Sequence, residues 1–147
     1  MKLLDPNETV LVVHGSAESA LGRDRDLAFA LQREIDARGN GHTYRRAVVV
    51  ADAPFLERPQ LHGHPTIAVG GPGVNAVAQQ FVGELATAWQ DEERSFVQID
   101  LESEVKRATL WGMNGDATAQ AIDAFIGQGM LDVFLDRIWR IRPSALV

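Results

Sequence analysis

Residues Thr9 to Val13 form an unbroken run of β-branched residues and leucine. Without polar alternation, such a run suits a strand covered on both faces, as in a parallel sheet. Tyr44 to Ala51, centred on Ala47-Val48-Val49-Val50, and Thr66 to Val69 repeat the pattern. Between the first two runs, Leu21, Leu27, Ala28, Leu31 and Ile35 fall at helical spacing. Arg38-Gly39 and the following Asn40-Gly41 stop that helix. The strand–helix–strand order predicts a right-handed crossover and parallel pairing. Pro54, Pro59 and Pro65 punctuate the next stretch, where Phe55, Leu56 and Leu61 are the apolar anchors. A loop with at most one short helix is expected there.

In the second half, Val74, Val77, Ala78, Phe81, Val82, Leu85 and Trp89 recur at intervals of three and four. They predict a helix that runs to the charged segment Asp91-Glu92-Glu93-Arg94. Phe96 to Leu101 and Arg107 to Trp111 read as two strands. The gap between them, Glu102 to Lys106, is too short for a parallel crossover, so the pair is expected to be an antiparallel hairpin. A helix should begin near Ala117 with Ile122, Phe125 and Ile126 inward, and Gly127 and Gly129 should interrupt it. Leu131, Phe134, Leu135, Ile138 and Trp139 then carry a last stripe before Pro143. The pattern predicts a single three-layer α/β domain over residues 1–147. Its sheet is mainly parallel, with helices on both faces and an antiparallel hairpin at one edge.

Composition narrows the partners more than the fold. A chain of 147 residues suits one domain. Its formal charge of -6 argues against nucleic acid as the partner, which would call for a basic face. The absence of cysteine removes thiol chemistry and thiolate metal sites. Met1-Lys2-Leu3-Leu4-Asp5-Pro6-Asn7 does not read as a signal peptide, and no run approaches the roughly 20 apolar residues of a spanning helix. A cytoplasmic protein that avoids membranes is the expectation.

Candidate chemistry gathers after two of the strands. Gly70-Gly71-Pro72-Gly73-Val74-Asn75 joins the third strand to a helix. Its glycines permit close approach, and amides of Gly71, Gly73, Val74 and Asn75 can face an anion, whereas Pro72 has none. Asn75 can either donate to that ligand or cap the helix. The loop is neither GxGxxG nor GxxxxGK[ST], and a plain strand-to-helix turn is the alternative. His14-Gly15-Ser16 ends the first strand, and His14 has the intrinsic proton affinity of a general acid or base. In an open parallel sheet these two loops should meet, at the carboxyl ends of the strands. His62-Gly63-His64 could join His14 as metal ligands, although spacing fixes no metal site and no cofactor is indicated. Asp116 is the expected cap of the helix after Asn114-Gly115. With the hairpin, that loop is expected at the end of the sheet opposite the glycine loop; without it, the loop would join the site. Ser95, Ser103 and Ser144 lack a GxSxG context. Arg23-Asp24-Arg25-Asp26 reads as a solvated helix face.

Two resemblances bear on function. Val12-Val13-His14-Gly15-Ser16 is similar to the first-strand motif of sirohydrochlorin-type chelatases. The second histidine of that family follows a later strand, whereas His62 and His64 precede one, so no activity is carried over. Gly70-Gly71-Pro72-Gly73-Val74-Asn75, with Gly112 and Ala117-Thr118-Ala119-Gln120-Ala121, resembles a GGPxxN…G…AT..A module of archaeal surface-layer-type and uncharacterised proteins. That resemblance implies a binding or structural role without established catalysis. The function expected is binding of an anionic, phosphorylated or nucleotide-like small molecule by Gly15, Ser16, Gly70, Gly71, Gly73, Val74 and Asn75. The alternatives are a protein-interaction module that forms a homodimer through its C-terminal helices, and a small enzyme using His14 as general acid or base.

Overall fold

The computed structural model describes residues 4–17 and 22–139. Its centre is one six-stranded sheet. The elements are β1 (Val10–His14), α1 (Arg23–Gly39), β2 (Ala47–Ala51), α2 (Asp52–Glu57), a 3-10 turn (Pro59–Leu61), β3 (Thr66–Val69), α3 (Ala76–Glu84), β4 (Ala86–Asp91), β5 (Ser95–Asp100), β6 (Arg107–Gly112), α4 (Gly115–Gly127) and α5 (Met130–Ile138). Across the sheet the order is β2-β1-β3-β6-β5-β4. The first four strands in that order are mutually parallel, whereas β5 runs against β6 and β4 against β5. The expected α/β architecture, with its antiparallel edge, is what forms. Among the described residues no helix is long and apolar enough to cross a membrane.

The unbroken apolar runs are explained by cover on both faces. Val10 and Val12 of β1, Ile67 and Val69 of β3, and Ala108 and Leu110 of β6 pack against α1, α4 and α5. The alternate residues Leu11, Val13 and Ala68 pack on the other face against Phe55 of α2 and Val77, Ala78 and Phe81 of α3. Successive side chains of a strand point to opposite faces, so each run supplies both cores. Burying each such aliphatic side chain is worth about 1.5–3 kcal/mol.

The helix expected to reach Trp89 stops at Glu84, and residues 86–91 form the edge strand β4 instead. The segment satisfies two periods at once. Leu85 and Trp89 continue the helical spacing, while Leu85, Thr87 and Trp89 also alternate. Tertiary pairing decides between them, because β5 offers β4 a ladder. Gln98 of β5 completes the stop: its side-chain amide donates to the carbonyls of Val82 (3.1 Å) and Leu85 (3.0 Å) at the end of α3. The pairing of β4 with β5 shifts register between Thr87 and Trp89, leaving a bulge at Ala88. At the opposite edge, β2 begins at Ala47 rather than Tyr44. There Asp36 of α1 accepts from the Ala47 amide at 2.8 Å, and Gln32 donates to its carbonyl at 3.0 Å. Leu21, Ser144 and Pro143 lie outside the described residues.

A second difference concerns the loop after β6. The hairpin pairing is as expected, but β5 is its reversed member and β6 is parallel to β3. The Asn114 loop therefore emerges at the same end of the sheet as the glycine loop. The cap of α4 is Asn114, whose Oδ1 accepts from the Ala117 amide at 2.9 Å, and Asp116 instead pairs with Arg23 at 2.9 Å.

Asn75 joins the elements that define this end. It is 1% exposed, its Oδ1 accepts from the amides of Val77 and Ala78, and its Nδ2 donates to the carbonyls of Val13 and Val69. One side chain thus ties the ends of β1 and β3 to the start of α3. Asn75→Ala should lower stability by about 2–4 kcal/mol in denaturant unfolding. The loss combines a helix cap with buried backbone groups left unpaired, and Asn75→Asp should restore only the cap.

Candidate functional site

Because β1, β3 and β6 run in one direction, His14, Val69 and Gly112 end at one side of the sheet. From β1 the chain enters α1 on one face, and from β3 it enters α3 on the other. Where neighbouring connections diverge in this way, an open α/β sheet leaves a crevice. A cleft of about 510 Å³ opens at this end. Its walls come from Arg23 and Asp24 of α1, residues 71–74, and residues 111–115 with Thr118.

The close approach of these walls is a sequence property. Gly70 has φ +108°, and a Cβ there would lie 2.6 Å from Asp24 Oδ2. A Cβ on Gly112 would lie 2.3 Å from Ala117 Cβ, and the Gly112 amide donates to Thr118 Oγ1 at 3.1 Å. The two short motifs that carry the GGPxxN…G…AT..A resemblance are therefore adjacent junctions, β3 to α3 and β6 to α4.

The structure divides the expected site residues into groups. Gly71, Gly73 and Val74 line the cleft, and Gly70 backs it against Asp24. The amides of Val74 and Asn75 both donate to the Gly71 carbonyl at 3.1 Å. Among the described residues, the amides of Gly71 and Gly73 meet no protein acceptor. Asn75 takes the capping alternative and has no group left over. His14 and Gly15 are buried and do not line the cleft. The His14 Nδ1–H donates to the Gly15 carbonyl at 2.8 Å, a partner that can only accept. Ser16 donates its amide (2.8 Å) and its hydroxyl to Asp52 Oδ1, and Asp52 Oδ2 accepts from the Ala76 amide at 2.7 Å. A protein carboxylate thus occupies the start of α3 on that side. These bonds hold the Asp52 carboxyl below its usual range, although burial works against them.

The residue that the sequence reading misses is Asp24. Far from lying on a solvated face, it is 8% exposed and lines the cleft. A signal was present: residues 24, 28, 31 and 35 share one helical stripe, and the last three are Ala28, Leu31 and Ile35, all buried. Asp24 is the single ionisable member of that apolar stripe. Among the described residues no hydrogen-bond donor reaches its carboxylate. Burial pushes its pKa up, and the charges of His14 and Arg23 pull partly against that. A perturbed carboxyl in a cleft is the kind of group that functional sites assemble.

The three histidines do not converge. His64 is buried with Nδ1 donating to the Thr9 carbonyl at 3.1 Å, before β1, whereas His14 ends that strand. The two are separated by the length of β1, about 16 Å at 3.3 Å per residue. His62 donates Nε2 to the Phe55 carbonyl at 2.8 Å and packs on the Phe55 ring. Among the described residues no cluster of three or more metal-ligating side chains occurs.

Asp24 also makes a prediction about stability. A group whose folded pKa is raised contributes most below its unfolded pKa and loses that contribution as pH rises through the folded value. Asp24→Asn should therefore raise Tm at neutral pH, and its melting curve should converge on the parent's as pH falls through the ordinary aspartate range. Asp52→Asn should do the reverse, destabilising at neutral pH with a deficit that shrinks in acid. Thermal melts over a pH series check both signs. Compared with known proteins, the chain matches no family model and has no significant match among curated proteins.

Proposed function

We propose that the protein binds a small anionic molecule, phosphorylated or nucleotide-like, in the cleft over the ends of β3 and β6. The observation that carries this reading is the pair of unengaged amides, Gly71 and Gly73, on a wall of that cleft. The start of α4 also lines the cleft, through Asn114, which caps it, and Gly115. Backbone N–H groups at a helix start, with the helix dipole behind them, favour negative charge. Arg23 adds a cation on the adjoining wall, where it is half-exposed and held by Asp116. Pro72, Val74, Trp111 and Met113 give the cleft apolar lining, and Asp24 and Thr118 add polar groups. A volume of about 510 Å³ falls within the 300–1,000 Å³ range typical of small-molecule sites. His14 stands off the cleft wall, with its Nδ1–H on the Gly15 carbonyl.

A thermal-shift titration with inorganic phosphate and nucleoside monophosphates tests the reading. Saturable stabilisation is expected, about 2.7 kcal/mol at a ligand concentration one hundred times Kd. Gly73→Asp places a negative side chain where a Cβ meets nothing within 4 Å, so the fold should persist. Its own Tm should match the parent's while the ligand-induced shift falls at least tenfold in apparent affinity. A shift that survives Gly73→Asp unchanged would place binding elsewhere.

A further inference from the structure

We propose that Asp24 selects for ligands that carry hydroxyl groups beside the phosphate, as a ribose 5-phosphate unit does, and that its carboxylate receives those hydroxyls. This rests on the anion-binding reading above and adds the part of the ligand that the amides do not address. The starting point is a mismatch inside the cleft. One wall offers N–H donors, while Asp24 offers two acceptor oxygens that no donor among the described residues reaches. Its residue surface is more than nine-tenths buried. Burial strips part of the hydration from this carboxylate, and hydroxyl donors from a ligand would replace it. A bare anion in this cleft would instead bring a second negative charge toward the first.

A ligand that is anionic at one end and donor-rich beside it resolves both demands. A carboxylate has two oxygens and can accept from two adjacent hydroxyls. Gly70, with no side chain and φ +108°, leaves the room that Asp24 Oδ2 occupies, since a Cβ there would lie 2.6 Å from it. The Gly71 and Gly73 donors and the Asp24 acceptor line the same cleft. The volume agrees in size, since a lone phosphate would leave most of about 510 Å³ to water. The apolar rim suits a planar base, and Met113 stands there with 69% of its surface exposed. A metal cation on Asp24 is the competing occupant. The described residues give it no three-ligand cluster, and Arg23 stands next to Asp24 in the same wall.

The test is calorimetric titration of the full chain, in buffer with and without EDTA, using adenosine monophosphate, its 2′,3′-dideoxy analogue and inorganic phosphate. The parent should bind the hydroxylated nucleotide about tenfold or more tightly than the dideoxy form, as hydrogen bonds to a charged group are worth. In Asp24→Ala that ratio should fall to near one, while phosphate binds as well as before or better. Asp24→Asn, expected to fold at least as stably as the parent, should give an intermediate ratio and guards against misfolding of the alanine variant. Equal affinity for the two nucleotides in the parent, or a ratio kept in Asp24→Ala, would overturn the selection while leaving anion binding intact. Binding that vanishes with EDTA would overturn it in favour of a cation on Asp24. No heat from any of the three compounds, with no thermal shift, would defeat both readings together.

Discussion

The structure depends on the side-chain amide of Asn75. It has two hydrogens and two acceptor positions, and all four are used, on two strand ends and two helix-start amides. Apolar residues run to Val13 in β1, just before the terminal His14, and to Val69 in β3, and the carbonyls of those two residues are the ones that Asn75 brings into line. The amide supplies that alignment, and Asp52 extends it by holding Ser16 and Ala76 from the neighbouring connection. At the far end of α3, the Gln98 side chain does the same for the last carbonyls. A helix of nine residues is too short to persist by its own propensity. It is held at both ends by amide side chains from outside its regular turns, and the glycine loop inherits its geometry.

The layers of this fold were legible because they follow from period alone. Apolar runs in β1 and β3 require cover on both sides, and the stripe of α1 supplies part of it. The edge was not legible for the same reason: residues 85–91 fit a helix and a strand equally well, and only the presence of β5 decides. The position of the Asn114 loop needed the direction of β6, which a hairpin does not reveal, since either strand of the pair can be the reversed one. Within the site, the glycine positions were readable, and their roles were less so. Gly70 accommodates a carboxylate from another element, and Gly112 accommodates a helix, neither of which spacing along the chain can show.

Asp24 illustrates a distinction between stability and use. In the stripe it shares with Ala28, Leu31 and Ile35, an aliphatic residue would serve the core better. The carboxylate is instead placed where burial disfavours its charge and where His14 and Arg23 only partly compensate. Local conflicts of this kind, set in an otherwise consistent sequence, are where function is expected to reside. Charged residues on either side of it, Arg23 and Arg25, stay in water, so the position within the turn, rather than composition, makes the difference.

The two rims of the sheet carry a consequence for life in a crowded solution. A bare strand at a border is a template on which another polypeptide can crystallise backbone to backbone, the first step towards fibrils. Here the kink at Ala88 throws one border out of step, and the Asp36 and Gln32 side chains plug the backbone of Ala47 at the other. Both ends of the ladder are thereby made poor seeds, and the sheet terminates at six strands instead of propagating from molecule to molecule.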